Sequence, residues 1–270
     1  MASTTDRRRE IHDEFPETRP LPPRSMEWRK AMRLAKQLKK TPYNPSVSYE
    51  LVLSLDGGDF ERVFQDFLGE PGARDMIIEQ PNLIALLADR AALAAMDEGS
   101  LGRIYLALTQ EDGYTADGLA DVQDKTPGFN EIAPDPIRRW LYKRNAALHD
   151  VSHAFTGYGR DRAGEAALNM FTSAIYPHRI VRFYSVIGAL VAPRDRYLRN
   201  LSYMYETWAR GRRARIPLSA PWEQLLPLQL KEVCRRLQIQ PVEEAHPSGI
   251  MREATVGGPW VPASAVQGSA

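Results

Sequence analysis

Apolar residues recur every three or four positions through most of the chain from residue 47 onward, and glycines and prolines interrupt them at short intervals. This spacing is typical of amphipathic helices, whereas the alternation expected of strands is nearly absent. The pattern predicts helices at residues 47–55, 59–69, 81–96, 100–110, 135–156, 161–175, 178–191, 195–210 and 227–238. We therefore predict an all-α fold, built as a single irregular multi-helix domain that includes a helical hairpin.

The composition along the chain predicts where this domain begins and ends. Residues 1–24 are charged and rich in proline, which is typical of a disordered arm. Residues 241–270 are rich in Pro, Gly, Ser and Ala and predict an extended tail, so the helical domain is expected to cover residues 25–240. Within it, the polar residues 112–134 predict a long loop, a candidate cap over a site.

A basic helix is predicted at residues 26–40, ahead of the main series. Trp28, Met32, Ala35 and Leu38 are spaced to share one face, and arginines and lysines cover the rest. Such a helix is usually a solvated surface element. Basic side chains beside a Trp anchor also suit an anionic lipid surface, so a membrane-surface or partner-binding role is the functional alternative.

The segment 178–191 is apolar nearly all round. A central core helix is the usual explanation of such a pattern, and the lining of a tunnel for a long apolar ligand is the alternative. The next predicted helix leads into four arginines within residues 210–215. Cations stabilise a helix C-terminus, and guanidinium groups also bind phosphates and carboxylates. These arginines, together with Arg160 and Arg162, are therefore candidates for holding an acidic head group.

The most specific chemical pattern is a set of metal-ligand residue types close together in sequence: His149, Asp150, His153 and Glu165. On a helix, residues four apart lie about 40° apart around the axis, so His149 and His153 share a face. Asp150 lies about 100° from His149, at the edge of that face. The glycines that follow predict a turn, and a hairpin folded about Gly159 brings Glu165 opposite His153.

Burial makes a metal the simplest explanation of this cluster. Small and apolar residues flank it, and buried imidazoles and carboxylates are costly without the partners that a metal supplies. Two imidazoles and two carboxylates suit Zn²⁺, Fe²⁺, Mn²⁺ or Co²⁺. The alternatives are two satisfied histidines without a metal, and a metal phosphohydrolase. The phosphohydrolase fits poorly because His12, His178 and His246 lack an accompanying ligand pattern.

Overall composition narrows the class of partner. The 270 residues carry a formal net charge of +1 and include one cysteine, Cys234. A near-neutral chain has no global basic field for nucleic acid. A single cysteine excludes an intramolecular disulfide and a multi-cysteine zinc site. Neither a secretory signal nor a membrane-spanning segment is predicted. We therefore expect a cytoplasmic protein that is at most peripheral, at the inner face of the cell membrane.

Several motifs together resemble the coenzyme Q biosynthesis protein 4 family. The chain resembles a bacterial member of that family. The most specific is His149-Asp150-x-x-His153 with Glu165, framed by Gly157 and Gly164. The others are Gly99-Ser100-Leu101-Gly102-x-x-Tyr105, Gly211-Arg212-Arg213-Ala214, and Trp222-Glu223-Gln224 with the closing helix through Ile239. The similarity covers residues 45–240, without the N-terminal arm and the final tail.

The resemblance implies an all-helical fold and a metal, most often zinc, bound by His149, Asp150, His153 and Glu165. It implies a lyase of ubiquinone synthesis that removes the ring carboxylate of a polyprenylated aromatic acid and installs a hydroxyl at that carbon. Asp150 and Glu165 would then be catalytic. It also implies that the protein associates with a membrane surface and with other quinone-biosynthesis proteins. A homo-oligomer is a further possible assembly. A non-catalytic prenyl-lipid-binding scaffold with a structural metal is the alternative.

Overall fold

The computed structural model describes residues 3–40, 44–110, 116–176, 178–179, 181–182, 185 and 197–251. Within these residues the regular structure is helical, apart from an isolated antiparallel bridge between Ser100 and Gln229. The prediction of an all-α fold is confirmed. Within the same ranges, no helix combines the length and the apolar character needed to cross a bilayer.

The helices follow the predicted order, with additional short ones between them. They are α1 (Thr4–Glu14), α2 (Trp28–Lys40), α3 (Pro45–Ser54), α4 (Asp59–Leu68), α5 (Ala73–Glu79), α6 (Leu83–Ala88), α7 (Arg90–Ala94), α8 (Leu101–Gln110), α9 (Ala116–Lys125), α10 (Phe129–Ile132), α11 (Pro136–Thr156), α12 (Arg162–Ile175), α13 (Tyr197–Arg213), α14 (Trp222–Leu225), α15 (Leu230–Arg236) and α16 (Val242–Ala245). A short 3-10 helix, Pro16–Thr18, follows α1.

Contacts along the chain define two compact units, each assembled from separate stretches of sequence. The first comprises Met1–Asp89, Tyr114–Leu148 and Pro217–Glu223, and the second Arg90–Gly113, His149–Ile216 and Gln224–Ala270. Helix α11 contributes residues through Leu148 to the first unit and the remainder, from His149, to the second. The predicted metal ligands therefore all belong to the second unit.

The N-terminal residues form α1, contrary to the prediction of a disordered arm over residues 1–24. The Ser3 hydroxyl accepts a hydrogen bond from the Asp6 amide, and the Asp6 carboxylate accepts one from the Ser3 amide, both at 3.1 Å. This capping box satisfies amides that a helix start leaves unpaired. Ile11 is buried, and Arg7 Nε donates to the carbonyl of Gly69 at 2.8 Å. Local capping and a few tertiary contacts thus outweigh the charged composition.

The prediction of a long polar loop over residues 112–134 is wrong where the chain forms helices α9 and α10. Gln123 on α9 is buried, and its side-chain amide donates to the Tyr49 hydroxyl at 3.0 Å. Tyr49 in turn packs its ring against Phe129 of α10, with centroids 6.3 Å apart. These polar residues are ordered because their hydrogen bonds are made inside the first unit.

Other helix boundaries differ from the predicted ones. The predicted helix at 81–96 is two helices, α6 and α7, because the backbone of Asp89 leaves the helical conformation, with ψ at 85°. The predicted helix at 227–238 is α15, with α14 ahead of it, and α5 was not predicted. Most of the predicted apolar helix at 178–191 lies outside the described residues.

The C-terminal region is partly folded, contrary to the prediction of an extended tail over residues 241–270. Helix α16 lies at its start, and His246, Ile250 and Met251 are buried in the second unit. A buried histidine in a sequence rich in small residues gives no periodic signal, so the pattern of the chain could not reveal it. Residues 252–270 lie outside the described ranges.

Helices α12 and α13 pack closely in the second unit, and this pairing holds the predicted hairpin. A Cβ atom at Gly211 of α13 would lie 2.3 Å from the carbonyl oxygen of Phe171 and 2.9 Å from the Ala174 Cβ. Only glycine permits this approach of the two backbones. Gly211, the first residue of the Gly-Arg-Arg-Ala motif, therefore allows α13 to pack closely against α12.

Candidate metal centre

The predicted hairpin is formed by the end of α11 and the start of α12. Gly157 adopts a left-handed φ of 76°, and its amide donates to the carbonyl of His153 at 3.0 Å, which ends α11. The Asp161 carboxylate then caps α12 by accepting from the amides of Ala163 and Gly164 at 2.9 and 3.0 Å. A Cβ at Gly164 would lie 1.8 Å from the Gly159 carbonyl oxygen, so the turn requires glycine there.

Three of the four predicted ligands converge across this hairpin. The Glu165 carboxylate lies between the two imidazoles, with Oε2 3.3 Å from His149 Nε2 and Oε1 3.2 Å from His153 Nε2. One ligand atom from each of the three residues lies within 4.8 Å of the others. The two rings are 5.1 Å apart between centroids. The predicted meeting of His153 and Glu165 about the glycine turn is therefore confirmed by these distances.

His153 is buried, and its two ring nitrogens have different partners. Its Nδ1 lies 3.0 Å from the carbonyl oxygen of Tyr158, which can only accept, so Nδ1 carries a proton and donates. Its Nε2 is buried and makes no hydrogen bond, although Glu165 Oε1 is 3.2 Å away. In the neutral imidazole, a lone pair therefore faces a carboxylate. A cation between them, either a proton or a metal ion, resolves this conflict.

The charges around His149 also favour a cation. Burial alone would lower the pKa of His149, but the carboxylates of Asp150 and Glu165 outweigh burial and raise its pKa to about 10. Burial would raise the pKa of Glu165, but the two imidazoles outweigh it and hold that pKa well below its usual range. The site thus combines an ionised carboxylate with two imidazoles, the donor set that divalent metals such as zinc use.

Asp150, the fourth predicted ligand, is not placed among the three converging residues. Its Oδ1 lies 3.7 Å from His149 Nδ1, on the side of the ring that faces away from Glu165, and 3.8 Å from Arg160 Nη2. Burial would raise the pKa of Asp150, but His149 and Arg160 lower it overall. A carboxylate in this place can orient a metal-bound imidazole. Its role as a direct ligand stays a prediction.

A second polar cluster, which the sequence did not reveal, lies beneath the turn. His246 is fully buried, its Nε2 lies 2.9 Å from the Tyr158 hydroxyl, and its Nδ1 lies 3.2 Å from Glu206 Oε2. Its ring also packs against Tyr203 at 4.6 Å between centroids. These contacts hold Tyr158, whose carbonyl orients His153. The residues are far apart in sequence, so no local pattern connects them.

Arg210 is committed to the same turn and is therefore a poor candidate for a head group. It is 1% exposed, and its guanidinium donates to the carbonyls of Thr156 and Gln240 at 2.7 and 2.8 Å. Its Cζ also lies 5.1 Å from the centroid of the Tyr158 ring. Arg210 thus fastens the end of α11 to the C-terminal segment. Arg160, another candidate, lies beside Asp150 at the site, and the side chain of Arg162 is outside the described part of the chain.

Comparison with known proteins explains why these motifs occur together. The model of the family described as coenzyme Q (ubiquinone) biosynthesis protein Coq4 matches residues 57–243, which is more than half of the chain. The chain belongs to the Coq4 family. The Coq4 match contains His149, His153 and Glu165 and begins after α2.

Individual Coq4 relatives are distant. The ubiquinone biosynthesis protein COQ4, mitochondrial, of Zygosaccharomyces rouxii is 28% identical over 186 residues, which is 67% of this chain and 52% of that protein. The COQ4 homolog, mitochondrial, of Danio rerio is 26% identical over 176 residues, 63% of this chain and 60% of that protein. The chain thus spans little more than half the length of these curated relatives.

A solved structure supports the fold. A Nostoc punctiforme PCC 73102 protein, provisionally assigned to ubiquinone biosynthesis, superimposes with a TM-score of 0.59 and 16% identity. The match covers 80% of this chain and all of that one. At this identity the likeness shows a shared fold and carries no information on chemistry.

Proposed function

We propose that this Coq4-family chain binds a divalent metal, zinc being the first candidate, and acts on a polyprenylated aromatic acid in ubiquinone synthesis. The reaction releases the ring carboxylate as carbon dioxide and places a hydroxyl on the same carbon, a two-electron oxidation for which molecular oxygen is the oxidant. The observation that carries metal binding is the buried Nε2 of His153, which faces the Glu165 carboxylate without a hydrogen bond. The substrate and reaction rest on family membership.

His149, His153 and Glu165 would hold the metal. When bound, a divalent metal supplies a Lewis acid for the charge that develops on the carboxylate and ring of the substrate. Three protein donors are typical of catalytic zinc sites, whereas structural sites use four. The convergence of three residues, with Asp150 set to one side, therefore favours an enzyme over a scaffold.

Asp150 and Arg160 supply the remaining charged groups at the rim of the site. The lowered pKa of Asp150 keeps its carboxylate ionised at neutral pH, so it can accept a proton or orient His149. Arg160 is 18% exposed and lies 3.8 Å from Asp150, with Nη1 donating to the Leu108 carbonyl at 3.3 Å. We assign Arg160 to the acidic head group of the substrate, because a guanidinium pairs well with a carboxylate.

The prenyl tail and the partner proteins are further parts of the proposal. The apolar segment 178–191 is the sequence candidate for contact with the tail. The scaffold alternative predicts that the same site is structural and that the chain presents a prenyl lipid to other quinone-biosynthesis enzymes. In the enzyme, the metal site is needed for turnover by a protein that folds without it. In the scaffold, the metal site is needed for folding.

Glu165→Gln separates the enzyme from the scaffold. Cells lacking the gene are restored with wild type, with Glu165→Gln, or with a control, Glu79→Gln, which alters an exposed glutamate outside the site. Mass spectrometry of lipid extracts then follows the prenylated precursors. The enzyme predicts that Glu165→Gln folds but accumulates a prenylated aromatic acid that keeps its carboxylate. Normal quinone levels with Glu165→Gln would exclude a catalytic site, and unfolding of that variant would indicate a structural metal.

A further inference from the structure

Helix α2 presents two faces, and one of them points to solvent. Ala31 and Leu34 are 3% and 5% exposed and form its buried side in the first unit, where α2 packs along α3. Lys30 is tied to the same region by an ion pair with Glu50, whose Oε1 lies 3.1 Å from Nζ. The helix is therefore anchored to the fold through one side.

Next to this buried side, the helix exposes two large apolar residues one helical turn apart. Trp28 is 56% exposed and Met32 is 63% exposed, and both belong to the apolar face that the sequence spacing predicts. The described residues expose four large hydrophobic side chains in all, the other two being Ile78 and Tyr205. Two of the four thus form a pair on one short helix, and exposing such a pair to water is unfavourable unless something covers it.

Cations flank this apolar pair. Arg29, Arg33, Lys36 and Lys40 are all exposed, and the sequence of α2 contains no acidic residue. At 100° per residue, the four lie within about 60° of one another around the helix, beside Trp28 and Met32. The exposed face therefore combines an aromatic and a thioether side chain with a continuous basic strip.

We propose that this face of α2 docks on the surface of an anionic membrane. A helix lying in the plane of the interface inserts its apolar residues at the acyl boundary and places its cations among the phosphates. Tryptophan is favoured at this level because its ring is amphipathic. Docking leaves Ala31 and Leu34 in place, so it needs no unfolding. The inference is independent of the metal site, which lies in the other unit, and of the Coq4 match, which begins at residue 57.

Charge complementarity selects lipid over protein as the occupant. Two apolar side chains offer a small area for a stable protein interface, which buries more than about 1,000 Å². An anionic membrane instead attracts every lysine and arginine near its surface. Each contributes about 1 kcal/mol, which corresponds to roughly a fivefold increase in affinity. Binding should accordingly be weak on neutral lipid and should decrease with added salt.

Vesicle co-sedimentation of the full chain tests this proposal. Vesicles of phosphatidylcholine alone are compared with vesicles that also contain phosphatidylglycerol. We expect binding to the anionic vesicles alone. The double variant Arg33→Glu/Lys36→Glu should weaken that binding on the order of 30-fold, because at least two attractions of about fivefold each are lost. Trp28→Ser/Met32→Ser should weaken it as well.

Matched controls use exposed residues elsewhere. Ile78→Ser removes another exposed apolar side chain, and Lys231→Glu reverses another exposed cation; both should bind vesicles as wild type does. Equal binding to neutral vesicles, or α2 variants that bind like wild type, would overturn the proposal. So would the finding that α2 variants bind vesicles normally but lose a stoichiometric protein partner, since α2 would then be a protein interface.

Discussion

Two polar clusters, one in each unit, satisfy their hydrogen-bonding groups very differently. In the first unit, the Arg138 side chain is 0% exposed and pairs with both oxygens of Glu61 at 2.8 Å and with Asp135 Oδ2 at 2.7 Å. Its remaining N–H groups donate to the carbonyls of residues 17–19 at 2.7–3.2 Å. Every donor of this guanidinium thus has an acceptor, and the cluster is complete with the atoms of the chain.

The cluster in the second unit is incomplete. His153 Nδ1 has a carbonyl acceptor, but Nε2 faces a Glu165 oxygen without a hydrogen bond. His149 presents its own Nε2 to the other oxygen of the same carboxylate at 3.3 Å. Burial of charged groups alone therefore does not mark a functional site. The Arg138 cluster stabilises one arrangement of the chain, whereas the unsatisfied Nε2 of His153 supports the proposed metal site.

Removing a converging histidine should have the largest effect on metal binding. Zinc bound by a complete set of ligands contributes about 10–16 kcal/mol in small structural sites, so one ligand is worth several kcal/mol. We expect His153→Ala to lose stoichiometric zinc, as measured by metal content after dialysis and by competition with a chelating dye. His12→Ala is the matched control, because His12 lies in the first unit and should leave zinc binding unchanged. Equal zinc retention by both variants would contradict the comparison.

Removing the centre of the complete cluster should instead affect folding. Arg138→Met leaves Glu61 and Asp135 buried without their partner, and breaking a buried pair in this way costs about 3–5 kcal/mol. Denaturant unfolding should show that loss, with zinc stoichiometry unchanged. Arg235→Met, which removes a surface ion pair with Glu232, should leave stability nearly as it was. A stable Arg138→Met protein would show that the first cluster is not structural.

The His246 cluster should make stability depend on pH. Burial outweighs the nearby Glu206 carboxylate and lowers the pKa of His246 to about 4, from 6.5 in the unfolded chain. Between these values the unfolded chain binds a proton that the folded protein does not, so stability falls as pH drops from 6.5 to 4. The loss amounts to about 3 kcal/mol. His246→Gln should remove this part of the pH dependence in urea unfolding, and a wild-type profile unchanged by the substitution would argue against it.

The smallest expected change is in the zinc affinity of Asp150→Asn, and its size shows whether Asp150 orients His149 or binds the metal directly. If Asp150 orients His149, Asp150→Asn should weaken zinc binding about 10–100-fold, the usual effect of removing such a partner. Isothermal titration against the wild type measures this directly. A complete loss of zinc, as in His153→Ala, would instead make Asp150 a fourth ligand and would favour the structural metal of the scaffold alternative.

The sequence predicts the hairpin well because its determinants are local. The spacing of His149 and His153 fixes one face of α11, and the glycine turn brings Glu165 across from it. Asp150 was grouped with them because helical spacing does not specify which way a neighbouring side chain turns. The structure sets it beside Arg160 instead.

Features that depend on distant residues escape the same reasoning. His246 and Glu206 lie on different segments and meet only through folding, and Gln123 is buried in α9 because Tyr49 accepts its hydrogen bond. For α2, the sequence groups Trp28 and Met32 with Ala35 and Leu38 on one face, whereas the structure exposes the first two and half-buries the other two. The helical repeat shows that a face exists, and tertiary packing decides which face is covered.

We propose that the incomplete cluster binds a metal ion and not a proton alone. Calorimetric titration of zinc into the metal-free wild-type protein, in buffers of different ionisation enthalpy, tests this most directly. We predict one equivalent of zinc, release of protons from the imidazoles, and a higher unfolding temperature for the loaded protein. Absence of binding, or zinc that binds without proton release and equally well to His153→Ala, would show that protons satisfy the cluster and would contradict the account.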